Sequence, residues 1–109
     1  MFLTFILSPE GLPVPEPNLL AWGLWIATHD RHVAYDQVED IRVSTVFLGV
    51  VHDRDALYET ALIDPEGLIQ ITGRYALPTL ALEGHRRELA RLHQTRELAQ
   101  QVLENMRTP

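Results

Sequence analysis

The side chains in this sequence that can do chemistry are few and dispersed. There are five histidines, fifteen carboxylates and nine cationic residues, all of them Arg, with no Cys and no Lys. Without Cys there is no disulfide framework, thiol nucleophile or thiolate metal site. His29 and His32 flank Asp30-Arg31, and two imidazoles three apart beside a carboxylate can hold a divalent metal. The competing and preferred reading is a polar helix C-terminus, where imidazolium also suits the dipole. His52-Asp53-Arg54-Asp55 sets an imidazole and two carboxylates at a hairpin tip, where alternating charge also keeps a loop solvated and discourages edge association. His85 lies on an apolar helical stripe, four before Leu89 and seven before Leu92, directly after Gly84. It reads as a core histidine bonded to a sheet carbonyl, with the missing side chain of Gly84 leaving room for a backbone or a ligand.

Arg86, Arg87 and Arg91 cluster near the start of the same helical pattern, and Arg74 ends the strand before it. Guanidiniums converging there would suit one phosphate or carboxylate; paired with Glu83, Glu88 and the acidic strands they would be exposed ion pairs of little worth each. The candidate ligand-binding residues are therefore Tyr58, Glu59, Arg74, Tyr75, His85, Arg87 and Arg91. They are expected where the central strands meet Arg74 and the Gly84-His85 turn. No Ser or Thr stands in a nucleophile-elbow context, no glycine loop resembles a phosphate cradle, and no His-Glu-x-x-His occurs. No catalytic residue, metal ligand or cofactor is assigned, and the reading is a binding protein, not an enzyme. A small metal-dependent hydrolase using His52, Asp53, Asp55, Glu59 and His85 is the alternative.

Composition bounds these readings. At 109 residues the chain suits a single domain, 1–109, with one modest core. The net charge of −6 disfavours non-specific binding to nucleic acid or an anionic membrane, which needs a basic face. Residues 1–77 carry eleven Asp/Glu against four Arg, and residues 78–109 four Glu against five Arg. The apolar start Met1 to Leu7 has no basic leader and meets Ser8-Pro9-Glu10-Gly11 at once. No apolar run approaches the roughly 18 residues of a membrane span, and the expected location is the cytoplasm.

The elements that must position the candidates follow from pattern. Residues 1–77 read as a sheet with a short helix. Phe2 to Leu7 is a strand, Pro13, Pro15 and Pro17 stiffen the connector after it, and Asn18 caps a short buried helix from Leu19 to about Thr28. Trp22 and Trp25 share a face of that helix. Val33-Ala34-Tyr35 predicts a brief edge strand, and Asp36 to Asp40 an acidic turn. The centre is Ile41 to Ile63, whose apolar runs Val43–Val51 and Ala56–Ile63 predict a β-hairpin. Ile41, Val43, Thr45, Phe47 and Gly49 point one way and Arg42, Ser44, Val46, Leu48 and Val50 the other, while the partner run puts Leu57, Glu59, Ala61 and Ile63 on one face and Tyr58, Thr60 and Leu62 on the other. Asp64-Pro65-Glu66-Gly67 is a turn, launching a third strand from Leu68 to Tyr75. From Pro78 to about residue 107 one long amphipathic helix is predicted, on the order of 40 Å in length at about 1.5 Å per residue. The fold class is α+β: a short helix, an antiparallel meander of three to five strands and a long C-terminal helix. That helix outreaches its sheet, so Gln94–Arg107 is expected to project and bury its stripe in a homo-oligomer, most simply a homodimer.

Three stretches carry a resemblance: PVPEPNLLAWGLW, RHVAYDQVEDIRVSTVFLG, and LYETALI followed by RYALPTLALEGH. Together, over about residues 6–92, they resemble a widespread family of small, mostly uncharacterised proteins of tailed phages and prophages. Val51-His52 replaces that family's usual Asp-His, Asp53-Arg54-Asp55 replaces a Gly-rich loop, Leu77-Pro78 replaces its usual Thr, and the chain beyond Leu92 has no counterpart. The resemblance implies a viral accessory protein in the cytoplasm of an infected or lysogenic bacterium. It implies action in host takeover or anti-defence, by binding a host protein or sequestering an anionic signalling nucleotide. A virion or assembly component is the structural alternative.

Overall fold

The computed structural model describes residues 3–51 and 56–107. In chain order the elements are β1 (Leu3–Leu7), β2 (Pro13–Pro15), α1 (Leu19–Thr28), β3 (His32–Val38), β4 (Ile41–Phe47), β5 (Val50–Val51), β6 (Tyr58–Ile63), β7 (Ile69–Tyr75) and α2 (Pro78–Arg107). The class is α+β, with the long C-terminal helix in its expected place. The strands, however, divide between two antiparallel sheets, a small one ordered β2-β1-β5 and a main one ordered β3-β4-β6-β7.

The division arises at Gly49. Val43–Val51, expected as one strand, is broken: β4 ends at Phe47, and Val50 and Val51 pair with Thr4 and Leu3 of β1. Gly49 has φ +76°, a left-handed conformation that only glycine takes without strain. Its carbonyl accepts from the Phe5 amide at 2.8 Å and from the Trp22 indole at 2.9 Å. The run is apolar on both faces because its second half supplies the small sheet.

β3 also differs from expectation. The strand continues through Asp36 to Val38, and the turn shrinks to Glu39-Asp40, with Glu39 at φ 55°. Alternation puts Ala34, Asp36 and Val38 on the face shared with Val43 and Thr45. An acidic residue is tolerated there because α2 brings it a partner.

Asn18 caps α1, its side-chain oxygen accepting from the Leu20 and Ala21 amides at 3.0 and 3.1 Å. The expectation that this helix is buried is corrected: none of its residues is, and Leu20 is 88% and Leu24 68% exposed. α1 lies over β1 and reaches Phe47 of β4 through Trp25, so one side suffices for Trp22, Trp25 and Ile26 and the other is left outward.

The core lies between the main sheet and the first half of α2. Val43, Thr45 and Phe47 of β4 stand opposite Leu62, Thr60 and Tyr58 of β6. Val43, Thr45, Phe47, Thr60 and Ala81 are wholly buried. Trp25 joins this core edge-on to Phe47, with ring centres 5.9 Å apart, and Phe47 meets Tyr58 at 5.4 Å. The Asp64 to Gly67 turn forms as expected: the Gly67 amide reaches the Asp64 carbonyl at 3.0 Å, and the Asp64 carboxylate accepts from Glu66 and Leu68.

α2 outruns the sheet. Its last described tie to the body is the ion pair of Arg96 with Glu39, 2.8 Å, at the β3–β4 turn; residues 97–107 are exposed. The molecule measures 67 × 26 × 25 Å, with a radius of gyration of 17.6 Å against about 13 Å for a compact domain of this length.

Candidate functional site

The densest polar chemistry is a chain of side chains crossing four elements. The His85 Nε2 of α2 lies 2.7 Å from the Asp36 Oδ2 of β3, and its Nδ1 lies 2.8 Å from the Thr45 Oγ of β4. The Thr45 Oγ is in turn 2.6 Å from the Thr60 Oγ of β6. One assignment satisfies every member: Nε2–H donates to the carboxylate, Nδ1 accepts from the Thr45 hydroxyl, and the Thr60 hydroxyl donates to Thr45.

Carboxylate, imidazole and hydroxyl in this order is the arrangement that activates a nucleophile. Here the hydroxyl is out of reach. Thr45 and Thr60 have no exposed surface and His85 only 2%, whereas the Asp36 side chain is 51% exposed. Only the carboxylate meets solvent, so the network seats α2 on the sheet and a substrate cannot approach its hydroxyl end. His85 is the expected core histidine, bonded to side chains and not to a sheet carbonyl.

Two further features complete the seat. A Cβ on either Gly84 of α2 or Gly73 of β7 would meet the hydroxyl and ring of Tyr75. The space beside Gly84 is thus taken by Tyr75, and close helix-to-sheet approach is what the glycine permits. Tyr58 is 1% exposed, and its hydroxyl has no hydrogen-bond partner among the described residues. Burial pushes its phenol above the ordinary value.

The seven candidate ligand-binding residues are divided by the sheet. Tyr58 pairs with Tyr75 across β6 and β7, Tyr58 in the core and Tyr75 against Gly84, with His85 on the same side. Glu59 and Arg74 are the next pair along, so strand alternation turns them to the opposite face, where they form a 3.0 Å ion pair. Arg87 and Arg91 are exposed on α2, Arg91 bonded to Glu88 at 2.7 Å. The expected convergence of Arg74 with Arg87 and Arg91 on one anion is corrected by that alternation.

It also separates Glu59 from His85, two members of the alternative hydrolase set; His52, Asp53 and Asp55 lie outside the described residues. Among the described residues no three His, Asp or Glu are grouped to hold a metal. His29 stacks on Trp25, with ring centres 4.5 Å apart, while His32 pairs with Asp30 at 2.8 Å. The His32 amide, and then its imidazole, hold the Asp30 carboxyl below its ordinary value.

Sequence reasoning missed Asp36, Thr45 and Thr60 as partners of His85. The available signal was alternation, since Thr45 falls on the same face as Val43 and Phe47, where a hydroxyl needs a partner.

The surface that stands apart is apolar. Leu98, Val102, Leu103 and Met106 on α2 are 53–77% exposed, and Leu19, Leu20 and Leu24 on α1 are 68–88% exposed. Where α2 leaves the sheet, a cleft of about 350 Å³ opens between Leu92, Ile41, Leu62, Leu68 and Ile69. No helix among the described residues is long and apolar enough to cross a membrane. No protein-family model matches the chain, and no match is found among curated proteins or solved structures.

Proposed function

We propose that this chain is a non-enzymatic binding protein that works as a homodimer through the distal half of α2. The observation that carries the reading is the uncovered apolar stripe Leu98, Val102, Leu103 and Met106, on a helix whose matching first half is packed. Contiguous exposed apolar side chains mark interaction surfaces. The sealed Asp36–His85–Thr45–Thr60 network supports the non-catalytic half of the reading, because this triad-like group has no access for a substrate.

The sequence resemblance supports the narrower role of a phage-type accessory protein in the host cytoplasm that takes hold of a host protein. For such a partner the outward side of α1 is the surface on offer: Leu20 and Leu24, one turn apart, on a ten-residue helix without a charge. An apolar helix face of this kind fits a groove on a partner. Sequestration of an anionic nucleotide loses support with the separation of Arg74 from Arg87 and Arg91.

Light scattering at micromolar concentration tests the dimer, with a monomer overturning it. Cross-linking in infected cells, compared between the natural chain and a Leu20→Glu/Leu24→Glu variant, tests the host partner. A specific adduct lost in the variant is expected; its persistence in the variant, or no adduct with either, overturns the α1 assignment. Mass spectrometry of purified particles tests the virion alternative, which predicts the chain in stoichiometric amount.

A further inference from the structure

We infer that the two copies pair antiparallel along the distal halves of α2, the C-terminal turn of each ending at the cleft beneath Leu92 of the other. This rests on the dimer reading above and adds the orientation and the residue that the partner contributes. The first observation is continuity of the stripe. His85, Leu89 and Leu92, which face the sheet or its end, recur two heptads later as Ala99, Leu103 and Met106. Two heptads rotate a helix face by only about 40°. The sheet therefore lies on the same side of α2 as the free stripe.

That fact chooses the orientation. Helices packed on each other run about 8–10 Å apart. If two copies paired parallel through this stripe, both main sheets would have to occupy the space between the two helices. Antiparallel pairing puts the bodies at opposite ends. Under each distal half, the partner's helix then takes the layer that the sheet occupies under the proximal half. Its end meets the cleft of Ile41, Leu62, Leu68, Ile69 and Leu92, where Leu68 is 70% and Ile69 66% exposed. Met106, 77% exposed and unbranched, is suited to an irregular apolar cleft.

Charge and area agree. The whole chain carries −6, but residues 94–107 hold Arg96, Glu97, Glu104 and Arg107 and are neutral, so this is a segment on which two acidic copies meet without repulsion. The accessible surface is 7809 Å², about 1,700 Å² above the scaling for a compact monomer of this mass. A stable dimer asks on the order of 800 Å² of each copy.

The chain has no Cys, so engineered thiols report without background. Leu68→Cys and Met106→Cys variants, both at exposed positions, are mixed, unfolded, refolded and oxidised. The expected product is a mixed disulfide dimer that joins one Leu68→Cys chain to one Met106→Cys chain, with Met106→Cys alone giving little. A disulfide between two Met106→Cys chains would replace the antiparallel arrangement with a parallel one while leaving the dimer standing. A dimer in light scattering that yields neither product overturns the docking in the cleft. A monomer in light scattering overturns the underlying reading instead. Circular dichroism of each variant keeps misfolding distinguishable from lack of pairing.

Discussion

His85 does at the residue scale what no apolar side chain could do at its position: its ring joins a helix to two strands directly and to a third through the Thr45 hydroxyl. Both nitrogens are used, and each hydroxyl behind them has a partner. Thr45→Val leaves Nδ1 of His85 without its donor and the Thr60 hydroxyl without its acceptor, in a site closed to water. The expected loss is about 1–3 kcal/mol, read as a lower urea midpoint with an unchanged slope. Tyr58 presents the reverse case, a buried hydroxyl with no partner among the described residues. Tyr58→Phe should raise stability by on the order of 1 kcal/mol. It should also remove a pH dependence: with its phenol raised by burial, Tyr58 leaves stability unaffected by pH below its unfolded value near 10, and stability falls as pH rises from there through the folded value. Unfolding of the natural chain and the variant between pH 8 and 11 checks this; parallel alkaline losses would remove Tyr58 as their source.

At the scale of elements, glycines decide how the layers approach. By intrinsic propensity Gly84→Ala should stabilise α2 by about 1 kcal/mol. The added methyl falls on the Tyr75 ring, which is backed on its other side by Gly73, so net destabilisation is expected. In a Tyr75→Ala background the same substitution should become neutral or favourable, a coupling that a double-mutant cycle measures. Gly49→Ala meets two obstacles together, a positive φ and a Cβ only 2.7 Å from Ile26 Cδ1 and 3.2 Å from the Phe5 carbonyl. A loss exceeding about 1 kcal/mol is expected, with thermal unfolding as the measurement and the small sheet as the part disturbed. A stability equal to that of the natural chain would mean that the break after Phe47 does not depend on glycine.

The whole molecule is elongated because its helix continues for eleven described residues, Glu97–Arg107, after its last described tie to the body. Residues 97–107 are all exposed, so a chain shortened by residues 97–109 should keep its melting temperature when compared as a monomer and should lose self-association. An intact dimer after the deletion would move the interface elsewhere. The separation of Arg74 from Arg87 and Arg91 predicts no measurable heat in calorimetry with a panel of cyclic nucleotides at tens of micromolar. A saturable signal would restore the anionic-ligand reading and place it on one face only.

From sequence alone the long amphipathic helix, the Asn18 cap, the Asp64–Gly67 turn and the faces of Ile41–Phe47 could be read, because each depends on near neighbours in the chain. Helical and strand periodicities expose a buried stripe wherever one face is covered, and His85 stood out by falling on one. What covers each face is a non-local matter. Leu48 to Val51 looked like more of the same strand until Gly49 turned them into a second sheet, and α1 looked buried because its composition is apolar on every side. Glu59 beside Tyr58 and Arg74 beside Tyr75 are neighbours in sequence that pleating sends to opposite faces, and only the position of α2 decides which face each sees. Asp36, Thr45, Thr60 and His85 came together from four elements, at separations for which the sequence holds no local signal.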